Sequence, residues 1–308
     1  MSTWLDSYFF SPSLMQKALA ILLLPLSLIY LFFAFLNTKL HFKFIPQIPS
    51  ISVGNLSFGG NFKTPTTKAI ARFLKEHFKD KKIFVILRGY KRKSKGLKLV
   101  KLNQKVLLNA YESGDEAQEY AYENFIDAVI VSSDRKKAIL KAQNLGADLI
   151  LLDDAFSKFY IKKFDLLLES AQKPFFDFVL PSGAYRLPKS FEKRADYVAL
   201  EGRDFFKYSY TKENQKALLI TAIAKPFRLF EHFIKARACH FFKDHYFFKK
   251  EELENLLKKH NCDTLMLTFK DYVKIKDMGF KTQLISLEIE LCEALKEKIL
   301  NFVKTYKG

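Results

Sequence analysis

The strongest constraint on the fold is an alternation, from about residue 50 onward, between short apolar runs and longer amphipathic stretches. Five runs are predicted to be buried strands: Ile83–Leu87, Asp127–Ser133, Asp148–Asp154, Phe164–Glu169 and Asp196–Gly202. Helices are predicted between several of them, including Lys63–Lys79 and Asp134–Leu145. Strands that alternate with helices form a mostly parallel sheet covered by helices on both faces. The predicted fold class is therefore α/β.

A second series of elements begins near Lys216. Its predicted strands are Lys216–Ile223, Asp263–Thr268 and a third around Gln283–Leu287, and its predicted helices include Glu251–Lys259 and Glu288–Lys304. A chain of 308 residues is long enough for two domains of ordinary size. We therefore divide the part after the N-terminus into residues 46–202 and 203–308. The aromatic-polar alternation of Arg203–Thr211 is predicted to form a hinge ribbon between them.

Ahead of these elements, the segment Ala18–Thr38 has no charged residue and is flanked by Lys17 and Lys39. Its length matches the hydrocarbon thickness that a spanning helix must cross. Pro25 would break a soluble helix but is tolerated in a membrane helix. Residues 1–45 are therefore predicted to be a membrane anchor. A re-entrant or surface-lying hairpin bent at Pro25 and a buried core helix are the alternatives.

The charge and the cysteines limit the classes of partner. The formal net charge is +18, yet the cations are mostly lysine, with only nine arginines spread along the chain. Nucleic-acid readers depend on arginine and on aromatic-basic clusters, so we predict no nucleic-acid partner. The excess of lysine instead suits a lysine-biased composition and an anionic membrane surface. The three cysteines show no CxxC spacing, which disfavours a disulfide framework or a zinc site. Nothing in the sequence indicates an obligate protein partner.

The stretch VGNLSFGGNFKTP, from Val53 to Pro65, follows a predicted strand and leads into a predicted helix. Strand, glycine-rich loop, Lys-Thr and helix is the context of a phosphate-binding loop. In such a loop the backbone N–H groups and the helix dipole face the anion, Lys63 reaches the β- and γ-phosphates, and the Thr64 hydroxyl binds Mg²⁺. Ser57 and Phe62 occupy positions where the strict pattern has glycine, so a purely structural turn remains the alternative.

Phosphoryl transfer also requires an acidic metal ligand at the end of a neighbouring strand. The run LILLDD places Asp153 and Asp154 directly after four apolar residues. A helix cap or a solvated turn explains an isolated acidic pair equally well. Together with Lys63, Thr64 and the parallel-sheet pattern, the pair favours a magnesium site.

Nine segments resemble, in order, the motifs of one family, the tetraacyldisaccharide 4′-kinases of lipid A biosynthesis, which are membrane-anchored P-loop kinases of Gram-negative bacteria. The loop resembles the family's VGNLTVGGTGKTP. The other segments are ILRGYKRK, SGDEAQ, SSDR, LLDDAF, LPSGAYRLP, AIAKPFRLFEHF, FKDHYFF and TFKDYVKI, which resemble SRGYGRK, GDEP, DR, DDGFQH, LPAGPLREP, GIGRPERFF, FPDHHPY and TEKDAVKL. The resemblance covers nearly the whole chain.

The resemblance implies that ATP is used to phosphorylate the 4′-hydroxyl of a tetraacyl glucosamine disaccharide 1-phosphate, which yields lipid IVA. It implies a location at the bacterial inner membrane, with the catalytic lobes on the cytoplasmic face. It also implies a P-loop NTPase-like, mostly parallel sheet in two α/β/α lobes that are joined by a hinge, with the nucleotide between them.

Site residues follow from the resemblance position by position. The nucleotide loop corresponds to Gly59, Gly60, Asn61, Phe62, Lys63, Thr64 and Pro65. The magnesium ligands correspond to Thr64, Asp153 and Asp154. The catalytic residues correspond to the pair Asp115 and His245, together with Lys63, Arg135 and Arg186.

Three departures from the family pattern fall at the predicted site. Phe62 stands in place of glycine, DDAFSKF lacks the family's Gly, Gln and His, and Leu187 stands in place of glutamate. They leave two alternatives open: a membrane-tethered P-loop NTPase that works as a switch, and a relative that has lost the lipid kinase activity.

Overall fold

A computed structural model of the chain describes residues 4–39, 42–58, 62–223, 226–244 and 246–308. The first part of the chain forms a sheet of eight strands. They are β1 (Ser50–Gly54), β2 (Ile83–Leu87), β3 (Lys98–Leu102), β4 (Lys105–Val106), β5 (Ala128–Val131), β6 (Leu149–Asp153), β7 (Phe164–Glu169) and β8 (Tyr197–Leu200). Their order across the sheet is β4-β3-β5-β2-β6-β1-β7-β8.

The six strands from β5 to β8 in that order are parallel, and the β3–β4 hairpin adds an antiparallel edge. Every residue of β1, β2 and β6 is buried, as expected of central parallel strands that are covered on both faces. The predicted α/β fold with a mostly parallel sheet is confirmed.

The N-terminal segment forms three helices, α1 (Trp4–Phe10), α2 (Leu14–Leu22) and α3 (Leu24–Lys39). The predicted run Ala18–Thr38 is therefore not one continuous helix, because the chain bends by 53° between α2 and α3. Pro25 lies in the first turn of α3, where its missing N–H is not needed. Among the described residues no single helix is long and apolar enough to cross a membrane. The bent pair α2 and α3 together has the length and the composition of a membrane-crossing segment.

Both faces of the first sheet are covered by helices. They are α4 (Lys63–His77), α5 (Ala110–Ser113), α6 (Asp115–Ala121) and α7 (Arg135–Asn144). Buried side chains of α4 and α6 join the core on one face, and those of α7 join the core on the other. The α7 helix begins where Asp134 caps it, since the Asp134 carboxylate accepts from the Lys137 N–H at 3.0 Å.

The second part of the chain forms a sheet of five strands in the order β11-β10-β12-β13-β9. The strands are β9 (Phe205–Tyr210), β10 (Asn214–Thr221), β11 (Ala236–Phe241), β12 (Thr264–Thr268) and β13 (Thr282–Leu291). Only β9, at the edge beside β13, is antiparallel to its neighbour in this described sheet. The helices are α8 (Phe230–Phe233), α9 (Lys250–His260), α10 (Phe269–Ile275) and α11 (Glu293–Thr305), with 3₁₀ turns at Pro226–Leu229 and Lys276–Met278. A further 3₁₀ turn, Lys189–Arg194, lies between β7 and β8 of the first sheet.

The last helix returns to the first sheet. Leu295, Ile299 and Val303 of α11 are buried in the same core as Ile51 and Leu166. The first lobe, as we use the term, is the eight-stranded sheet with its helices, and the second lobe is the five-stranded sheet with α8 to α10. The boundaries 46–202 and 203–308 stay a prediction about independently folding units.

The predicted helix Glu288–Lys304 begins too early. Residues 288–291 continue β13, where Glu288 pairs with Tyr208 and Leu291 pairs with Phe205 of the predicted hinge ribbon. The alternation of polar and apolar residues there suits an edge ribbon with one solvated face. The strands β3, β4 and β11 were not predicted.

Candidate active site

The loop between β1 and α4 leads from the carboxyl edge of the first sheet to the N-terminus of a 15-residue helix. Phe62 precedes this helix with a left-handed backbone, φ 53°. Glycine adopts that conformation most readily, so the phenylalanine occupies a backbone position suited to the glycine it replaces. Gly59, Gly60 and Asn61 of the predicted loop lie outside the described residues.

The Lys-Thr pair faces the acidic pair, as the sequence predicts. Lys63 Nζ donates to Asn55 Oδ1 at 3.0 Å and lies 3.7 Å from Asp154 Oδ1. Thr64 Oγ1 donates to Asp153 Oδ2 at 3.3 Å. Both carboxylates stand at the end of β6, next to β1 in the sheet. A helix N-terminus, an ammonium group and two carboxylates therefore meet at one point.

Asp153 is held from below by a buried phenol. Tyr120 Oη donates to Asp153 Oδ2 at 2.8 Å, and this tyrosine side chain of α6 is fully buried. Asp153 Oδ1 is also buried, and it accepts no hydrogen bond from any described residue. A buried carboxylate oxygen without a protein partner is costly unless a ligand satisfies it. The orphaned oxygen, beside the Thr64 hydroxyl, fits one coordination position of Mg²⁺.

The two carboxylates differ in electrostatics. Burial raises the pKa of Asp153, and the negative charge of Asp154 raises it further, against the Tyr120 hydrogen bond and the Lys63 charge. Burial also acts to raise the pKa of Asp154, but the Lys63 and Arg186 charges outweigh burial and hold this pKa below its usual range. Asp154 is therefore firmly anionic, and a cation placed at Asp153 would relieve an unfavourable buried charge.

Arg186 contacts the same two residues as Lys63, namely Asp154 and Asn55. The Arg186 guanidinium forms a bidentate ion pair with the Asp154 carboxylate, with both N···O distances at 3.1 Å. It also donates to the main-chain carbonyl and to the side-chain oxygen of Asn55. About a third of the Arg186 side chain is exposed. Planar bidentate geometry suits a guanidinium that binds either a carboxylate or a phosphate.

Arg135 lies deeper than Arg186. Its guanidinium donates to the main-chain carbonyls of Ser132 and, at 3.0 Å, of Asp153. Burial lowers the pKa of Arg135, and the charges of Asp153 and Asp154 oppose this shift. In the described structure Arg135 therefore holds the ends of two strands together, and direct contact with a phosphate stays a prediction.

Asp115 lies at the contact between the two lobes. The carboxylate at the start of α6 is 3.3 Å from Lys274 Nζ of α10, and Lys274 is 3.2 Å from Asp271. All three side chains are almost fully buried. His245, the predicted partner of Asp115, lies outside the described residues. The pairing of Asp115 with Lys274 fixes the position of this carboxylate relative to the second lobe.

A cavity of about 1790 Å³ separates the two lobes above these groups. Lys63, Thr64 and Pro65 line its floor from the first lobe, and Lys270 and Ser286 line it from the second. Among the described residues no cluster of three or more His, Cys, Asp or Glu side chains is arranged to hold a metal by itself. A site that relies on one or two carboxylates, a hydroxyl and substrate phosphates does not need such a cluster.

Comparison with known proteins agrees with this arrangement. The family model described as "Tetraacyldisaccharide-1-P 4'-kinase" matches residues 19–214 and 207–304. The chain belongs to this family. The resemblance noted from its sequence segments is thereby confirmed.

Named members of the kinase family match over nearly their whole length. The tetraacyldisaccharide 4′-kinase of Campylobacter jejuni strain RM1221 is 66% identical over 304 residues, which is 99% of this chain and 97% of the relative. That of Aliarcobacter butzleri is 40% identical over 313 residues, 99% of this chain and 98% of the relative. A crystal structure described as "apo" form LpxK from Aquifex aeolicus in complex with ATP superposes with a TM-score of 0.76 at 26% identity, over 92% of this chain and 99% of that one.

The structure accounts for the residue that departs most from the tetraacyldisaccharide 4′-kinase pattern. The ring of Phe62 contacts two cations of the second lobe, with Lys207 Nζ at 4.9 Å and Arg228 Cζ at 5.0 Å from its centroid. Contacts of this kind contribute about 0.5–2 kcal/mol each. The aromatic ring therefore connects the nucleotide loop of this family member to the opposite lobe.

Three residues of the site were missed in the sequence. Glu116 lines the cavity, and burial together with the charge of Asp153 raises the pKa of Glu116 to about 7. Tyr120 donates a hydrogen bond to Asp153, and Lys274 forms an ion pair with Asp115. The segment SGDEAQ drew attention only to Asp115, because the resemblance assigns a catalytic role to Asp115 and none to the adjacent Glu116. Tyr120 carries no motif signal, because only the packing of α6 brings its hydroxyl under β6.

Proposed function

We propose that the chain binds Mg·ATP at the N-terminus of α4 and transfers the γ-phosphate to the 4′-hydroxyl of a tetraacyl glucosamine disaccharide 1-phosphate, which forms lipid IVA. The observation that carries this proposal is the convergence of Lys63, Thr64, Asp153, Asp154 and Arg186 at one edge of the sheet. The names of the relatives support the substrate, and the ATP complex of the Aquifex aeolicus protein supports the nucleotide.

Thr64 and Asp153 are the proposed magnesium ligands, with Asp154 beside them. Bound magnesium supplies charge neutralisation at the β- and γ-phosphate oxygens. The proposal fits the orphaned Asp153 Oδ1 and the raised pKa of Asp153, because both indicate a carboxylate that is built for a cationic ligand.

Lys63 and Arg186 are the proposed phosphate ligands of the chain. In the described structure both cations pair with Asp154, which places them beside the N-terminus of α4. A triphosphate offers them a larger negative charge at the same place. Because the cations are already oriented, little reorganisation is needed when charge develops on the transferred group.

The proposed proton acceptor for the sugar hydroxyl is Asp115, assisted by His245. A positioned base is required because a hydroxyl is a weak nucleophile until its proton is accepted. Lys274 would hold Asp115 in place from the second lobe. Assembly of the pair would therefore depend on how the lobes approach each other.

The proposed location is the cytoplasmic face of the bacterial inner membrane. Leu22, Leu28, Phe32 and Phe33 of α2 and α3 are each more than half exposed, and an apolar face of this size favours a lipid environment. The α3 helix is joined to the site, because Tyr30 Oη donates to the carbonyl of Arg186 at 2.9 Å. A membrane-held lipid substrate and the phosphate-binding groups would thus share one rigid support.

The test is transfer of radiolabelled γ-phosphate from Mg·ATP to the tetraacyl disaccharide 1-phosphate by the purified full chain. We expect lipid product with wild type, at least about a hundredfold less with Lys63→Ala, and wild-type rates with Lys79→Ala, an exposed lysine just beyond the same helix. ATP hydrolysis without labelled lipid would replace the kinase proposal by the switch NTPase. Absence of both activities would indicate an inactive relative.

A further inference from the structure

The second lobe carries a compact group of apolar side chains that are exposed, apart from the half-buried Phe233. This aromatic patch consists of Phe227, Phe230, Phe233, Ile234 and Phe241, from the 3₁₀ turn Pro226–Leu229, α8, the residue after it and the end of β11. Neighbouring ring centroids are 5.2–6.4 Å apart, so the rings form one contiguous surface. Phe230 is 65% exposed and Ile234 is 80% exposed. Scattered apolar side chains need no explanation, but a contiguous cluster indicates a contact.

The aromatic patch adjoins the N-terminal helices. Phe227 and Phe230 line the interlobe cavity together with Leu5 and Phe10 of α1. The patch and α1 also interact through charge. Burial lowers the pKa of Arg228, which lies in sequence between Phe227 and Phe230. The carboxylate of Glu201, just after β8, and that of Asp6, in α1, oppose this shift. The patch and the apolar N-terminal helices therefore stand on two sides of the same cavity mouth.

The size and the charge of the patch select the kind of partner. A stable protein–protein interface buries about 800 Å² and roughly 20–30 residues on each side, far more than five side chains provide. The segment 226–237 carries three cations, Arg228, Lys235 and Arg237, against one carboxylate, Glu231. Aromatic side chains with neighbouring cations suit the interface of an anionic bilayer.

We propose that the aromatic patch is a second membrane contact, by which the second lobe rests on the same anionic bilayer as α1–α3. The inference extends the proposed function, since it assumes that the N-terminal helices hold the chain at a membrane. Contacts on both sides of the cavity mouth would place that mouth at the lipid surface. The head group of a lipid substrate could then enter the cavity while its acyl chains stay in the bilayer.

The chain offers a direct spectroscopic test, because Trp4 is its only tryptophan. Phe230→Trp in a Trp4→Phe background places the single fluorophore in the patch. The full chain is mixed with anionic phospholipid vesicles whose acyl chains are brominated near the head group. The matched control is Phe247→Trp in the same background, because Phe247 is 48% exposed in the same lobe and packs against Tyr111 of the first lobe.

We expect brominated lipid to quench the fluorophore at position 230 by roughly a third or more, and to leave position 247 nearly unchanged, because interfacial side chains reach about 5–10 Å into the bilayer. Quenching of the native Trp4 without quenching at position 230 overturns the inference and leaves the anchor intact. If neither Trp4 nor the fluorophore at position 230 is quenched, the inference is overturned and the membrane part of the proposed function is removed as well. Self-association that Phe230→Ser abolishes, without quenching at position 230, assigns the patch to a second copy and also overturns the inference. None of these readouts requires kinase activity.

Discussion

Glu116 provides a quantitative test of the electrostatics of the site. Its carboxyl group lines the cavity, and burial, with the nearby charge of Asp153, raises the pKa of Glu116 from 4.5 to about 7. The folded protein therefore keeps a proton on Glu116 at pH values where the unfolded chain has lost it. Between about pH 4.5 and 7, unfolding releases a proton, so the stability falls as the pH rises.

The size of the effect follows from the difference in pKa. A shift from 4.5 to about 7 is a difference of about 2.5 units, and at 1.36 kcal/mol per unit the ionised glutamate costs the folded state about 3 kcal/mol above pH 7. Glu116→Gln removes this cost and keeps nearly the same shape. With an unfolding entropy of about 2.1 cal/mol/K per residue over 308 residues, 3 kcal/mol corresponds to a rise in Tm of about 4–5 °C.

The assay is thermal unfolding of the wild type and of Glu116→Gln, without nucleotide, from pH 4.5 to 8.5. We expect equal Tm values at the acid end, a difference that grows through pH 6, and a plateau of about 4–5 °C above pH 7. The matched control is Glu297→Gln on the exposed side of α11, which should give no such pH-dependent difference. A Tm difference that does not change with pH, or a less stable Glu116→Gln at pH 8, would refute the reasoning.

Three further substitutions test separate contacts of the site. Tyr120→Phe removes the hydrogen bond to the buried Asp153 carboxylate, and urea unfolding should show a loss of about 1.5–3 kcal/mol. Arg186→Lys loses the bidentate geometry, and steady-state kinetics should show kcat lowered about tenfold or more with a nearly unchanged Tm, because the side chain is partly exposed. Phe62→Gly relieves the left-handed strain but removes the contacts with Lys207 and Arg228, so hydrogen exchange should become faster in the segments that carry these two residues.

Each of these expectations has an opposite result. An unfolding free energy of Tyr120→Phe equal to that of the wild type would show that Asp153 does not depend on the phenol. An unchanged kcat of Arg186→Lys would make Arg186 a structural residue. Unchanged or slower exchange around positions 207 and 228 in Phe62→Gly would mean that the ring does not connect the lobes.

The central strands were predictable because burial on both faces leaves a strong signal. The runs that became β2 and β6 are apolar almost throughout, and their flanking polar residues mark where they end. The same signal placed Asp153 at the edge of the sheet next to Lys63. The short strands β3 and β4 gave no such signal, because lysines interrupt their apolar residues and β4 has only two residues.

Other features depend on tertiary structure that no local pattern records. The helical pattern of Glu288–Leu291 is overridden by pairing with β9, which turns these residues into strand. The roles of Tyr120 and Lys274 arise only when α6 packs against β6 and against α10 of the other lobe. The sequence alone did not decide whether the chain bends between α2 and α3, because Pro25 is compatible with both a straight and a broken membrane helix.

The central claim is that the groups around the N-terminus of α4 bind a nucleoside triphosphate through magnesium. The most direct measurement is the equilibrium dissociation constant of ATP for the full chain, with and without magnesium, for the wild type and Lys63→Ala. We predict saturable binding that strengthens when magnesium is present and weakens about tenfold or more in Lys63→Ala. An ATP dissociation constant that is the same with and without magnesium, and the same in Lys63→Ala as in the wild type, would contradict the claim.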